Sequence, residues 1–125
     1  MNVEWVALES VLTFHDLQIS ENGGVEGIRD QGSLESALGR PEHLAQYAEP
    51  DLFDLAAAYA WGIVRNHPFV DGNKRTAFVV AVAFLELNGH ELKVDEADAA
   101  IVFLRLAANE YSEHDLAEWL RRNSE

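Results

Sequence analysis

The chain has no cysteine among its 125 residues. This absence excludes a disulfide framework, a thiolate metal site and a cysteine nucleophile, and it is typical of a cytoplasmic protein. Residues 1–11 carry Glu4 and Glu9 and lack the basic-then-apolar order of a signal peptide. No apolar run reaches the ~18 residues that a membrane-spanning helix needs.

Basic residues are also scarce, since 9 lysines and arginines stand against 22 aspartates and glutamates, for a formal net charge of −13. A surface this acidic repels phosphate backbones and anionic lipids. We therefore expect no direct binding to nucleic acid and none to membranes. Three of the nine cations, Arg65, Lys74 and Arg75, lie within eleven residues. Such a local positive site suggests a small anionic ligand, although the same cations could pair with nearby acids.

The length and the 48% hydrophobic content predict one domain over residues 1–125, with a core that needs no disulfide or structural metal. Apolar residues recur at helical spacing, and the apolar segments are separated by turn-forming residues. We predict an all-α, compact single-domain bundle of about six helices. A loop at 67–72 would join two central apolar helices, because Pro68 disfavours helical geometry at the residue before it.

Start and stop signals place the individual helices. Four helices are predicted with both bounds, at 4–17, 51–66, 73–88 and 96–109; Asp51 caps the second of these and Asp95 the fourth. A further short helix is capped by Ser33 and stopped by Gly39 and Pro41. A last helix is capped by Ser112, with Asp115 completing a capping box. Residues 22–32 hold four glycines and read as an irregular loop. Valines within 73–88 would also suit a strand, but the length favours a helix, and its apolar surface predicts a buried position.

Residues 67–76 combine a histidine, a carboxylate, a Gly-Asn step and two adjacent cations. The first backbone N–H groups of a helix have no intrahelical partner and lie at the positive end of its dipole, so Gly72 and Asn73 would begin an anion site. Lys74 and Arg75 add positive charge at the same place. This set is suited to phosphoryl or nucleotidyl transfer.

Asp71 offers oxygen ligands for Mg²⁺, and His67 can accept a proton from a hydroxyl near neutral pH. Each residue also has a structural reading: His67 as a loop histidine, Asp71 as a turn residue and the two cations as a solvated first helical turn. Composition alone leaves both readings open. The other four histidines are expected to be surface or capping residues; they are His15, His43, His90 and His114.

The segment 67–76 resembles the motif of the Fic/Doc superfamily. The Fic pattern, H-x-F-x-D/E-G-N-G-R-x-x-R, is matched except at Lys74, which replaces the second glycine, and Phe78, which replaces the last arginine. The pattern of the Doc (death-on-curing) toxins, H-x-F-x-D/N-A/G-N-K-R-T, accommodates both. Residues 15–16, 23–24 and 38–40 are also similar to Doc toxins.

The resemblance implies the toxin of a type II toxin–antitoxin system, a protein kinase that uses Mg²⁺ and ATP. Its target would be a threonine of elongation factor Tu, and translation would stop. Fic proteins instead transfer AMP to a protein hydroxyl. Lys74 would fill space that Fic proteins leave for the nucleotide phosphates, so the nucleotide would present its γ-phosphate. AMP transfer and a catalytically silent binding module remain as alternatives.

The resemblance also implies roles and partners. By this resemblance, His67 would be the general base, and Asp71 would bind Mg²⁺ or orient His67 and the substrate. Gly72 and Asn73 would form an anion hole. Phosphate would be bound by Lys74 and Arg75, with Arg65 and Arg40 as weaker candidates. A cognate antitoxin of the Phd type would neutralise the toxin through a disordered segment that folds on its surface. The glycine-rich segment 23–32 corresponds to a flap that docks the target, although an ordinary connection fits it equally.

Overall fold

Six α-helices form the protein in a computed structural model, which describes residues 2–125 and confirms the predicted all-α class. The helices are α1 (Leu8–Asn22), α2 (Gln31–Tyr47), α3 (Leu52–Asn66), α4 (Asn73–Leu87), α5 (Glu96–Ala107) and α6 (Glu113–Arg122). Extended pairing within the described residues is limited to two isolated bridges, Ile28 with Phe69 and Leu92 with Ser124. None of the helices in this part of the chain has the length and hydropathy to span a membrane.

Helix α3 lies at the centre, packed against α2, α4, α5 and α6. Most of its length is buried, and several of the buried residues are alanines, which let neighbouring helices approach closely. Its start is a capping box: the Asp51 carboxylate accepts from Asp54 N at 2.8 Å, and Asp54 accepts from Asp51 N at 2.9 Å. The predicted bounds of this helix, including the Asp51 cap, are confirmed.

Helix α4 also has its predicted position, but it is less enclosed than its composition suggests. It packs against α1, α3 and α5 and buries one face. Phe78 and Val82 are only partly buried, and Leu87 is 53% exposed. The prediction of a fully buried helix is therefore correct for one side of α4 only.

Helix α2 differs most from expectation. It starts at Gln31, where Asp30 rather than Ser33 is the cap and accepts from Ser33 N at 3.0 Å, and it continues through Pro41 to Tyr47. A proline inside a helix removes one hydrogen bond. Leu34, Ala37 and Pro41 nevertheless form a buried stripe facing α3, and that burial outweighs the lost bond.

The first residues are extended rather than helical, so α1 starts four residues later than predicted and ends five later. Asn88 accounts for the later start: its side chain accepts from Glu4 N and donates to Glu4 O, both at 2.9 Å. Val6 N also donates to the Tyr59 hydroxyl at 3.1 Å. These long-range bonds satisfy backbone groups that a helix would otherwise use.

The last two helices follow the predictions closely. Helix α5 begins after Asp95, although that carboxylate makes no capping hydrogen bond, and it ends two residues early. Helix α6 has the predicted capping box, with Asp115 N donating to Ser112 Oγ at 3.0 Å and Ser112 N to Asp115 Oδ2 at 2.9 Å. Its predicted stripe is buried: Leu116, Trp119 and Leu120.

Candidate active site

The loop between α3 and α4 begins at His67, which ends α3 in a left-handed conformation with φ 49° and ψ 54°. This conformation is uncommon for residues other than glycine and turns the chain sharply out of the helix. The His67 side chain is exposed, whereas Phe69, two residues on, is fully buried. The loop is thus anchored at Phe69 and presents the histidine to solvent, and the predicted turn at 67–72 is confirmed.

The Asn73 side chain is buried and forms hydrogen bonds with the backbone of the loop. Its side chain accepts from Phe69 N at 3.0 Å and donates to Phe69 O at 2.9 Å, and the residue is only 4% exposed. The side-chain amide is therefore committed to the loop backbone. What Asn73 can offer to an anion is its backbone N–H.

The first backbone N–H groups of α4 are outside the hydrogen bonds of the helix. The first hydrogen bond of the helix runs from Thr76 N to Gly72 O, so the N–H groups of residues 73–75 precede it. Lys74 and Arg75 are exposed, and within residues 2–125 neither forms a salt bridge. Backbone donors, the helix dipole and two cations coincide here, which is the arrangement that binds phosphates.

The Asp71 carboxylate receives a backbone N–H on each oxygen. Val25 N donates to Oδ2 at 3.1 Å, and Gly72 N donates to Oδ1 at 2.9 Å. These two bonds, followed by the charges of Lys74 and His15, hold the pKa of Asp71 below its usual range. The carboxylate is exposed and ionised at neutral pH, and each oxygen keeps a lone pair for a cation.

Residues 23–30, the part of the glycine-rich segment that precedes α2, lie against the loop and pair with it at the isolated bridge of Ile28 with Phe69; we call them the flap. Val70 N donates to Gly27 O at 3.0 Å, and Arg29 N donates to Pro68 O at 2.7 Å. The flap was predicted as an irregular loop, and its pairing depends on contacts with a segment about 40 residues later. Its position beside the loop is therefore set by tertiary structure.

Arg29, in the flap, was not among the predicted site residues. Its Nε donates to His67 O at 2.6 Å, and its terminal nitrogen donates to Asn66 O at 2.8 Å. The side chain thereby caps carbonyl groups at the end of α3. No local sequence signal marks this role, because the partners lie nearly 40 residues away.

His15 of α1 is the second residue missed, and its assignment as a surface or capping histidine is wrong. It is 3% exposed, and its Nε2 lies 2.9 Å from Asp71 O. Its ring stacks on Phe69, with centroids 3.8 Å apart and planes 7° apart. The available signal was spacing, since Val11, His15 and Ile19 form the buried stripe of α1. His43 and His114 are exposed, as expected.

Arg65 and Arg40 have structural partners elsewhere. The Arg65 guanidinium donates to Leu106 O at the end of α5. Arg40 pairs with Glu113 and lies 4.4 Å from the centre of the Trp61 ring. Both arginines thus stabilise contacts between helices, in contrast to the two free cations of α4.

The described residues contain no group of three or more side chains that could hold a metal ion by themselves. A magnesium ion at Asp71 would therefore depend on the phosphates of a nucleotide for further ligands, as is usual for this ion. Two cavities, of about 630 and 350 Å³, lie elsewhere and are not lined by any residue of 67–76. The candidate site residues His67, Asp71, Lys74 and Arg75 are exposed at the surface of the loop and the first turn of α4.

A model of the Fic/DOC family matches residues 5–85, which include α1, the flap and the whole loop. The chain belongs to the Fic/Doc family. Two relatives of this Fic/Doc chain agree: "Protein kinase doc" of Escherichia phage P1 is 36% identical over 118 residues, 94% of this chain and 93% of the relative. "Toxin Doc" of Mycolicibacterium smegmatis is 40% identical over 94 residues, 74% of this chain and 70% of the relative.

The contact of the flap with Asp71 gives a stability prediction at Gly24 of this Fic/Doc protein. A Cβ at Gly24 would lie 2.8 Å from Asp71 Oδ2 and 3.1 Å from Ile19 Cδ1, and φ is +125°. We expect Gly24→Ala to lower the free energy of unfolding by about 1–3 kcal/mol, because both the backbone and the contact are strained. Urea unfolding measures the change.

Gly23→Ala is the matched control, since Gly23 has φ +79° but no atom within 4 Å of a built Cβ. It should lose only the backbone part of the effect. Equal losses in the two variants would show that the contact with Asp71 does not matter.

Proposed function

We propose that this protein is a Doc-type toxin of a type II toxin–antitoxin system. It would be a cytoplasmic, single-domain kinase that transfers the γ-phosphate of ATP to a threonine hydroxyl of a translation factor, elongation factor Tu. The observation that carries the proposal is the convergence within one loop of an exposed histidine, an ionised carboxylate and a free cationic helix start. The names of the two relatives, a protein kinase and a toxin, support it.

In the proposed reaction His67 accepts the proton of the target hydroxyl. The hydroxyl oxygen then forms a bond to the γ-phosphorus, while the bond from that phosphorus to the bridging oxygen breaks and ADP leaves. The N–H groups at the start of α4, with Lys74 and Arg75, stabilise the charge on the phosphate oxygens. His67 is exposed at the loop surface, which is where a protein substrate can reach it.

Asp71 is the residue proposed to hold Mg²⁺. Its carboxylate is exposed, its lowered pKa keeps it ionised, and the two backbone bonds orient it without using all its lone pairs. When bound, the ion would neutralise charge on the ATP phosphates. Because the same carboxylate receives Val25 N, it also ties the flap to the site.

Transfer of phosphate is favoured over transfer of AMP by Lys74. Its side chain lies exposed in the first turn of α4, where Fic proteins have glycine. We infer that it narrows the space for the nucleotide and leaves the γ-phosphate at the reacting position. Phe78 occupies the position of the last arginine in the Fic pattern. It packs edge-on against Phe103, with ring centres 5.6 Å apart, and offers no charge to bind another phosphate.

A cognate Phd-like antitoxin is the proposed regulatory partner. The net charge of −13 favours a partner segment rich in basic residues. The flap, with Val25 59% exposed beside the loop, is the proposed contact for the target protein.

Intact-mass spectrometry of elongation factor Tu, incubated with Mg²⁺, ATP and this protein, tests the proposal. We expect the target to gain the mass of one phosphate, with no gain when His67→Asn replaces the parent. A gain of one AMP would establish the adenylyl transfer reaction instead. If neither appears, and the parent still inhibits growth to the same extent as His67→Asn, the binding-module alternative is correct.

A further inference from the structure

We propose that His15 is a positioning residue, which holds the Asp71–Gly72 peptide from α1 and so sets the direction of the Asp71 carboxylate and of the first N–H groups of α4. The effect of His15 on catalysis rests on the proposed function. The hydrogen bonds that it positions can be measured in the protein without any substrate.

The hydrogen bond from His15 is specific. A buried polar side chain is costly unless it is hydrogen-bonded, and His15 is 3% exposed. Within residues 2–125 its partner is Asp71 O, 2.9 Å from Nε2. A carbonyl oxygen can only accept, so Nε2 carries the proton and donates.

The ring of His15 has little freedom to move. It lies parallel to Phe69 at 3.8 Å, and Phe69 is itself fully buried. A Cβ built at Gly72 would lie 3.8 Å from both Cδ2 and Nε2 of His15. The ring is therefore held between the loop anchor and the start of α4, and the donor points in a fixed direction.

The Asp71 carbonyl precedes the helix, whose first backbone bond uses Gly72 O. The helix itself therefore does not fix the Asp71–Gly72 peptide. Its N–H side donates from Gly72 to Asp71 Oδ1, and the other carboxylate oxygen accepts from Val25. A rotation of this peptide would turn the carboxylate away from both donors and tilt the first N–H groups of α4.

Two substitutions separate the hydrogen bond from the packing. His15→Phe keeps an aromatic ring against Phe69 and removes the donor. His15→Gln loses the ring but places an amide N–H near the position of Nε2. Hydrogen exchange of the Val25 and Gly72 amides, followed by NMR, reports on the carboxylate in the absence of any substrate.

We expect both amides to exchange about tenfold faster in His15→Phe than in the parent, since the loss of one hydrogen bond corresponds to roughly that factor. His15→Gln should restore slow exchange. In the phosphotransfer assay His15→Phe should lower kcat by about 10²-fold, as expected for a small misplacement, and leave the KM for the target protein unchanged. The Mg²⁺ concentration that gives half the maximal rate should rise.

Parent-like exchange in His15→Phe, or no recovery in His15→Gln, would overturn the proposal and leave His15 as a packing residue. If the parent transfers no phosphate, the proposed function fails, but the exchange measurements still decide the role of His15.

Discussion

Replacing His67 by asparagine is expected to lower the rate of phosphotransfer by about 10²–10⁴-fold, the usual contribution of a general base. The fold should be retained, because the exposed side chain makes no hydrogen bond within residues 2–125 and asparagine tolerates the left-handed conformation of this position. The measurement is the single-turnover rate of target phosphorylation, with urea unfolding as the check on folding.

Two control variants make the result specific. His67→Ala should lose the same activity and less than about 1 kcal/mol of stability, because histidine adopts the left-handed conformation at φ 49° only somewhat more readily than alanine. His114→Asn, on the exposed face of α6, should keep the parent rate. A His67→Asn protein that phosphorylates the target at the parent rate would show that His67 is not the general base.

Asn73→Ala is expected to lower the free energy of unfolding by about 2–4 kcal/mol, since the buried N–H and C=O of Phe69 would both lose their partner. Asn73→Asp keeps the acceptor for Phe69 N but places a carboxylate oxygen against Phe69 O in a buried site, so its loss at neutral pH should be at least as large. The exposed Lys74→Ala should change stability by about 0.5 kcal/mol or less. Urea unfolding ranks the three variants.

The result for Asn73 also distinguishes two roles. The resemblance implied that Asn73 helps to form an anion hole, and the structure directs its side chain inward. If Asn73→Ala unfolded like the parent but lost ATP binding, the side chain would act on the ligand. A large loss of stability with the loop otherwise intact would assign it to the loop backbone.

Local signals predicted the helices that carry their own start and stop residues. The Asp51 and Ser112 capping boxes depend on atoms three residues apart, so sequence spacing is enough to find them. Helix α2 was predicted to stop at Pro41 because local rules include the hydrogen bond that proline loses. Local rules omit the burial of the α2 stripe against α3. The two helices are close there, since a Cβ built at Gly62 of α3 would lie 3.3 Å from Ala37 of α2.

The same limit explains what was missed at the site. The motif 67–76 is contiguous, so the residue types and the free helix start of α4 could be predicted together. Arg29 and His15 act on this loop from 38 and 56 residues away in the chain. Their roles follow from which helices pack together, and no property of a lone arginine or histidine predicts that.

By itself, therefore, the sequence determined the helical class, the family resemblance and the chemical character of the loop, since each depends on residues close together in the chain. Only the tertiary structure decided how the loop is held. It turned the Asn73 side chain inward, paired the flap with 68–70 and placed His15 behind Asp71. The physical reason is that hydrogen-bond partners of a buried or extended loop must come from other segments, and only packing of the core brings those segments to it.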